Sequence, residues 1–508
     1  MLNALLAAIL LAGSHGTEPH TREGVPPEQP TIELPWCFTD HMVLQQGQPV
    51  RVWGTTGPNQ RVSVTFGGDE VAALSDAAGA WSIELPARSA SAEGSALTVT
   101  SPGHQVRLED VVVGEVWLCA GQSNMDFALK NATGGREAAA SAVTQAPLIR
   151  LCNRTGSPGG GLRRALTPEE LAVISTDDYY HGEWQTISPE SAAPFSAVGY
   201  FFGAELQAAL GVPIGLIDVS IGGSSTEGWV APASLRADPL LAPLAKDFLG
   251  TDQTHPFIKG RTEAQLGAWI QGDRQGPRPR HFFEPGFLYS SAVETLAPFP
   301  VQGVLWYQGE SNATRPQLAD QLFRTMVQDW RGLWQRPDLP FYYVQLPGML
   351  RPSWPAFREV QASWLDLPHS HMAVAIDVGA ANDVHPKNKR PVGERLALLA
   401  LRHTYGQEVI ASGPVPSGQR VEGASLVIEF EHASGLAWAE GRGPTGFEIA
   451  GKDQRFYPAV AEMNGREIRI ASPNVEQPTA ARYAWAPFPE WSLVNATGLP
   501  AAPFHTHP

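Results

Sequence analysis

Two rhythms of apolar and polar positions run along this chain, and they change over near Val111. Before it, short segments alternate: Val50-Arg51-Val52-Trp53, Arg61-Val62-Ser63-Val64-Thr65-Phe66, Trp81-Ser82-Ile83-Glu84-Leu85 and Ala96-Leu97-Thr98-Val99-Thr100. Gly54, Gly57-Pro58, Gly67-Gly68 and Pro102-Gly103 punctuate them. Alternation at every second residue reads as half-buried strand, and several such strands between turn signals predict a small N-terminal β-sandwich over residues 34–108.

From Val111 the pattern becomes strand, loop, helix. Val116-Trp117-Leu118-Cys119-Ala120 is apolar without alternation, the mark of a strand buried on both faces. Further strands are expected at Pro147–Cys152, Ile214–Val219, Val301–Tyr307, Phe341–Leu346 and Met372–Val378. Helical spacing appears at Val198–Leu210, stopped by Gly211, and at Pro316–Trp334, which opens on proline. Phe357–Leu367 and Val392–Tyr405 complete the helices. Strands alternating with helices predict an α/β fold, a doubly wound and mostly parallel sheet over residues 109–410. Residues 237–284 interrupt it and read as an insertion with some helix. From 411 to 508 the β rhythm returns, in Ser425–Phe430, Phe447–Ala450 and Glu467–Ile470, and predicts a C-terminal β-sandwich.

A chain of 508 residues accommodates these three parts. Its formal net charge of -15 argues against nucleic acid and anionic membrane surfaces as partners. Leu2 to Ala12 is an apolar run too short to span a bilayer. It reads as a signal peptide over 1–16, followed by a polar linker over 17–33, and so a secreted or periplasmic protein. Three cysteines, Cys37, Cys119 and Cys152, allow at most one internal disulfide and match no metal site. No metal and no cofactor is implied. Fifteen tryptophans suit sugar platforms and core packing alike.

The chemistry lies in loops that follow strands, the rim where open α/β sheets hold ligands. Ser123 stands just past the central strand, after Gly121-Gln122, and is a candidate nucleophile. His385, in Asn382-Asp383-Val384-His385-Pro386, is the candidate base, and Asp383 the candidate group to orient it. Gly222 and Gly223, after the strand ending at Val219, offer backbone N–H groups to an oxyanion. Gln308, in Gln308-Gly309-Glu310-Ser311-Asn312, offers an amide donor; Glu310 is expected to be structural. Singly, each has a plainer reading: a turn serine, a loop histidine, a helix-capping aspartate, a tight glycine turn. Their coincidence on one rim favours the catalytic reading.

At these blocks the chain resembles the sialate O-acetylesterase family, within the SGNH-type hydrolases. Gly121-Gln122-Ser123-Asn124-Met125 is similar to the family's nucleophile block. Trp306 to Asn312 and Asn382 to Lys389 are similar to its other signature blocks. The likeness runs from about Leu34 to Phe504. It implies an SGNH-hydrolase-like sheet and a metal-free serine esterase that removes O-acetyl groups from carbohydrates. On that model Ser123 attacks the acetyl carbonyl and His385 takes its proton. The Ser123 N–H, Gly222 or Gly223 and Gln308 hold the oxyanion, while Gln122 and Asn312 contact substrate. Two positions depart from the pattern. Many SGNH enzymes carry Asp three residues before the histidine, where this chain has Asn382. Around Tyr289-Ser290-Ser291 the family usually has Asn after the tyrosine. Two other classes stay open: a glycosidase using Glu310 and Asp383, and a non-catalytic glycan-binding protein built from the β domains.

Overall fold

The apolar run before Ser123 is the second half of a single long strand that links two sheets. The computed structural model describes residues 31–159, 162–273, 275 and 277–506. The expected leader, 1–16, and most of the linker lie outside these residues. Strand β1 spans His104–Gly121. Its first half mixes exposed and buried positions and pairs antiparallel with Ser91–Ser101. From Val111 onward every residue is buried, and the strand has parallel neighbours on both sides. The change in hydrophobic rhythm is therefore a change of environment along one strand, and the boundary expected at 108/109 falls inside it.

The central sheet adds β2 (Ile149–Asn153), β3 (Trp184–Thr186), β4 (Ile214–Asp218), β5 (Gly303–Tyr307), β6 (Phe341–Val344) and β7 (Ser370–Ala373). Their order is β3-β2-β4-β1-β5-β6-β7. All neighbours are parallel except β3, which runs antiparallel to β2. Alternate residues of β1 feed two cores. Val116, Leu118 and Ala120 join one; Trp117 and Cys119 join the other. Helices α1 (Ala197–Leu210) and α4 (Arg390–His403) cover the Trp117 face, with Val198, Phe202, Leu206, Val392 and Leu396 buried there. Helices α2 (Pro316–Leu333) and α3 (Trp354–Ser363) cover the other, through Leu322, Phe323, Trp330 and Phe357. Burying a large side chain of this kind contributes about 1.5–3 kcal/mol. Trp117, Trp229, Trp306, Trp330, Trp354 and Trp364 are fully buried, so these tryptophans build cores and are not sugar platforms.

Two expected elements end elsewhere. The strand expected at Met372–Val378 stops at Ala373, and Ile376–Val378 is a 3-10 turn. Arg395 causes the break: it donates to the Val374 carbonyl at 2.6 Å and pairs with Asp377 at 2.6 Å. The helix expected at Phe357–Leu367 starts at Trp354, where Pro355 suits a first turn, and tightens to a 3-10 turn at Trp364–Asp366.

The flanking regions are β-structure, as the patterning predicts. In the N-terminal one, Val50–Thr55 pairs with Ala80–Leu85, and Arg61–Phe66 with Asp69–Leu74 and Ser91–Ser101. In the C-terminal one, two four-stranded sheets share a core that includes Ile428, Phe430, Ile449, Ile468 and Tyr483. The cysteines are free and buried. Among the described residues no helix is long and apolar enough to cross a membrane.

Candidate active site

Strand β1 ends at Gly121, whose φ of 132° favours glycine. A Cβ there would lie 2.2 Å from the Tyr307 carbonyl oxygen, so β5 passes too close for any side chain. The Gln122 carbonyl then accepts from the N–H groups of Met125 (2.8 Å) and Asp126 (3.0 Å). This tight turn puts Ser123 at its apex, half-buried. His385 lies in the loop between the Ile376–Val378 turn and α4, and its Nε2 is 2.8 Å from Ser123 Oγ. The two residues, 262 apart in sequence, meet on the rim of the sheet. Burial lowers the His385 pKa, the Lys389 charge lowers it further, and Asp383 opposes both. The ring is thereby kept neutral near pH 7, the form that accepts a proton.

Asp383 does not hold the imidazole as expected. It is exposed, and its carboxylate accepts from the His385 backbone N–H at 2.9 Å. With only Val384 between them in the chain, an aspartate closes this local turn more readily than it reaches the ring. Asn382, at the position where SGNH enzymes often have Asp, is also exposed.

The glycine loop hangs on the end of β1. The Gly121 carbonyl accepts from the Ile221 N–H and the Ser224 hydroxyl, both at 3.1 Å. Gly222 is thus brought beside Ser123: a Cβ built on it would lie 3.8 Å from Ser123 Cβ and 3.3 Å from Asp126 Oδ2. Its N–H also favours the ionised Asp126. Gly223, with φ of 80°, turns the chain toward Phe257 and Phe283.

Gln308 does not reach the cavity, contrary to its expected role as an oxyanion donor. It is 1% exposed. Its amide nitrogen donates to Asn312 Oδ1 (2.6 Å) and Gln122 Oε1 (3.1 Å), and its oxygen accepts from Thr226 (2.7 Å). Asn312 is equally buried and donates to Glu227 at 2.9 Å, so it cannot touch substrate. Gln122 does line the cavity. Its Oε1 is fixed by Gln308 and by the Ser311 N–H (3.3 Å), so the NH2 of the same amide is the group left to donate. Gln308 and Ser311, from the third block, thus hold the side chain of Gln122 in the nucleophile turn.

Several participants escape the sequence reading. Asn124 donates to Glu310 and to the Val384 carbonyl (2.9 Å), and accepts from Lys389. Asn124 and Lys389 lie inside quoted blocks, the one signal available. Ser123 and His385 open on a cavity of about 510 Å³, walled also by Arg163, His255, Phe257, Arg261 and Arg351. His255, Phe257 and Arg261 come from the 237–284 insertion, so that segment shapes the site. Tyr289 to Val293 form a buried π-helical turn outside the cavity. Among the described residues no group of three or more His, Cys, Asp or Glu is placed to hold a metal.

The family model described as carbohydrate esterase, sialic acid-specific acetylesterase matches residues 265–402, a span that contains His385. Mouse sialate O-acetylesterase is 25% identical over 92% of this chain and 93% of its own length. The human enzyme is 26% identical over 78% of this chain and 76% of its own. A crystal structure of a carbohydrate acetylesterase from Xanthomonas citri is 34% identical, with a TM-score of 0.77. The match covers 94% of this chain and 99% of that one. At that identity, and over almost the full length of both chains, the chain belongs to the sialate O-acetylesterase family of carbohydrate esterases.

Proposed function

We propose that this protein is a serine carbohydrate esterase that removes O-acetyl groups from sugars through an acetyl-enzyme intermediate. The observation that carries the reading is the 2.8 Å hydrogen bond between Ser123 Oγ and His385 Nε2 at the floor of an open cavity. His385 takes the serine proton as Oγ attacks the acetyl carbonyl. The oxyanion that develops is met by the Ser123 N–H, the Gly222 N–H and the Gln122 side-chain amide. Protonated His385 then gives its proton to the departing sugar hydroxyl. Water, deprotonated by the same imidazole, releases acetate.

The order and parallel pairing of the central sheet, with the nucleophile at the end of β1, support an SGNH-type catalytic region over 109–410. The β regions at 34–108 and 411–508 would flank it, behind a cleaved leader in a secreted or periplasmic protein. The paired-carboxylate alternative has less support. Glu310 is buried and bonded to Asn124, and Asp383 is exposed and bonded to backbone, so neither is free to flank a glycosidic bond.

The cavity wall favours an acetylated sugar that carries a carboxylate. Arg163, Arg261 and Arg351 are cationic. Facing them, Asp126 has its carboxyl pushed up to about 8, by the loss of water first and then by the Asp218 charge. The side chain is itself exposed, and contact with water tempers that rise. Near neutral pH the balance in the cavity is positive. Acetate release from a panel of acidic and neutral acetylated glycans tests the substrate. Ser123→Ala, expected to lower kcat by about 10⁴-fold or more, tests the mechanism. Turnover that survives this substitution, or a fluorophosphonate that does not label Ser123, would overturn the reading.

A further inference from the structure

Three loops must stay in register for Ser123 and His385 to touch, and a buried ammonium stands where they meet. Lys389 is 1% exposed, an environment lysine rarely occupies without a partner. Its Nζ donates to Asn124 Oδ1. It sits 4.9 Å from the Phe127 ring centroid and 5.4 Å from that of Tyr307, within cation–π range of both. Asn124 uses its amide nitrogen on Glu310 Oε1 and on the Val384 carbonyl. Val384 immediately precedes His385, and Asn124 immediately follows Ser123. Glu310 lies in the loop after β5, and its second oxygen, Oε2, is buried without a partner.

We infer that Lys389 is a positioning residue for the hydrolytic reaction. Its ammonium, acting through Asn124, clamps the histidine loop and the Glu310 loop onto the nucleophile turn. The clamp takes over the orienting task that Asp383 does not perform, since Asp383 bonds to the backbone. It deepens the Ser123–His385 reading and rests on it.

The charges around the imidazole agree with this. Lys389 and Asp383 face it from its own loop, Asp126 from the nucleophile turn and Glu310 from the β5 loop. Arg351, Arg163, Arg261 and His255 stand across the cavity. Burial lowers the Lys389 pKa to about 7, with Glu310 and then Asp383 opposing. His385 itself is lowered below its ordinary value near 6.5. Lys389 is therefore still charged over the pH range where His385 loses its proton, and removing it raises the His385 pKa.

The test is kcat and KM for p-nitrophenyl acetate against pH, in wild type, Lys389→Met, Lys389→Arg and Asn124→Ser. Lys389→Met should lower kcat at least tenfold with KM changed less than threefold, and move the acid limb of kcat/KM to higher pH. Lys389→Arg should keep the acid limb near its wild-type position. Asn124→Ser breaks the clamp but keeps the charge, so kcat should fall while the acid limb stays; it also serves if Lys389→Met does not fold. A folded Lys389→Met, or an Asn124→Ser, with wild-type kcat and acid limb would overturn the inference. Ser123→Ala, run alongside, separates the cases: if it retains turnover, the esterase reading itself fails.

Discussion

Asn124 Nδ2 donates to the Val384 carbonyl at 2.9 Å, a bond between the residue after the nucleophile and the residue before the base. The reacting pair is thus held by its neighbours in sequence, 260 residues apart. This arrangement relieves the imidazole of needing a carboxylate to fix its place.

Asp383 should consequently matter less than the acid of a conventional triad. Where a triad aspartate holds the ring, its loss drops kcat about 10⁴-fold. Here the carboxylate accepts from a backbone N–H and contributes only its charge to the ring. Asp383→Asn should lower kcat by about tenfold or less. Its negative charge raises the His385 pKa, so its removal should move the acid limb of kcat/KM to lower pH, opposite in sign to Lys389→Met. A pH–rate profile of the variant measures both effects. A loss of three or more decades in kcat would mean that Asp383 turns to the ring during turnover.

Gln122 and Gln308 should separate cleanly. Gln122 lines the cavity, and its oxygen is held by Gln308 and the Ser311 N–H. Gln122→Ala should lower kcat about 10²–10³-fold with little change in KM, as expected for a donor that meets charge only in the transition state. Gln308→Ala removes one buried hydrogen bond each from Thr226, Asn312 and Gln122, whereas Gln122→Ala removes only those its oxygen accepts from Gln308 and Ser311. Each lost bond costs about 0.5–1.5 kcal/mol, so Gln308→Ala should melt at lower temperature than Gln122→Ala. Paired kinetics and thermal melts decide the assignment.

The fold was readable where hydrophobic period and length agreed: the uninterrupted run of β1, the apolar face of α2, and α1 closed by Gly211. Ser123 and His385 were readable because strand ends mark the ligand rim of such sheets. What the residues alone did not give is direction. Gln308 and Asn312 occupy the expected loop, but Thr226 and Glu227, from a different loop, draw both inward. Arg395, on α4, decides where β7 stops. Arg163, Arg261 and Arg351 reach the cavity from three unrelated segments. No local period encodes such meetings, and a lysine at 389 carries no sequence mark of being buried.

Two groups bear on the alkaline side of the profile: Lys389, whose ammonium loses its proton as pH rises through about 7, and, above it, Asp126. Its carboxyl is pushed up to about 8, so it is mostly neutral at pH 7 and ionises above that value. The ionised form draws on the Gly222 N–H and sets a negative charge beside the site where the oxyanion forms. Activity of the wild type should therefore decline as pH rises through about 8. Asp126→Asn cannot ionise and should keep its activity to higher pH, before ester hydrolysis by hydroxide dominates. The comparison needs a substrate whose spontaneous hydrolysis is subtracted at every pH. An alkaline limb unchanged in the variant would assign that limb to another group.

Arg351 should report on the charge of the sugar. It lies in the loop after β6, is exposed, stands over the Trp354 ring, and lines the cavity together with the insertion's Arg261. A guanidinium there attracts a substrate carboxylate without touching the acetyl group, so its contribution belongs to binding and not to the chemical step. Arg351→Ala should raise KM about tenfold for an acetylated acidic sugar, equivalent to about 1.4 kcal/mol, and leave kcat within a factor of two. For a neutral acetylated sugar both constants should stay near wild type. The wild-type preference for the acidic substrate should also shrink as salt rises from about 0.05 to about 0.5 M, because the screening length falls from about 14 Å to about 4 Å over that range. Equal KM values for acidic and neutral sugars in the wild type, with no salt dependence, would remove the carboxylate from the substrate definition and leave the acetyl ester as the only feature this cavity selects.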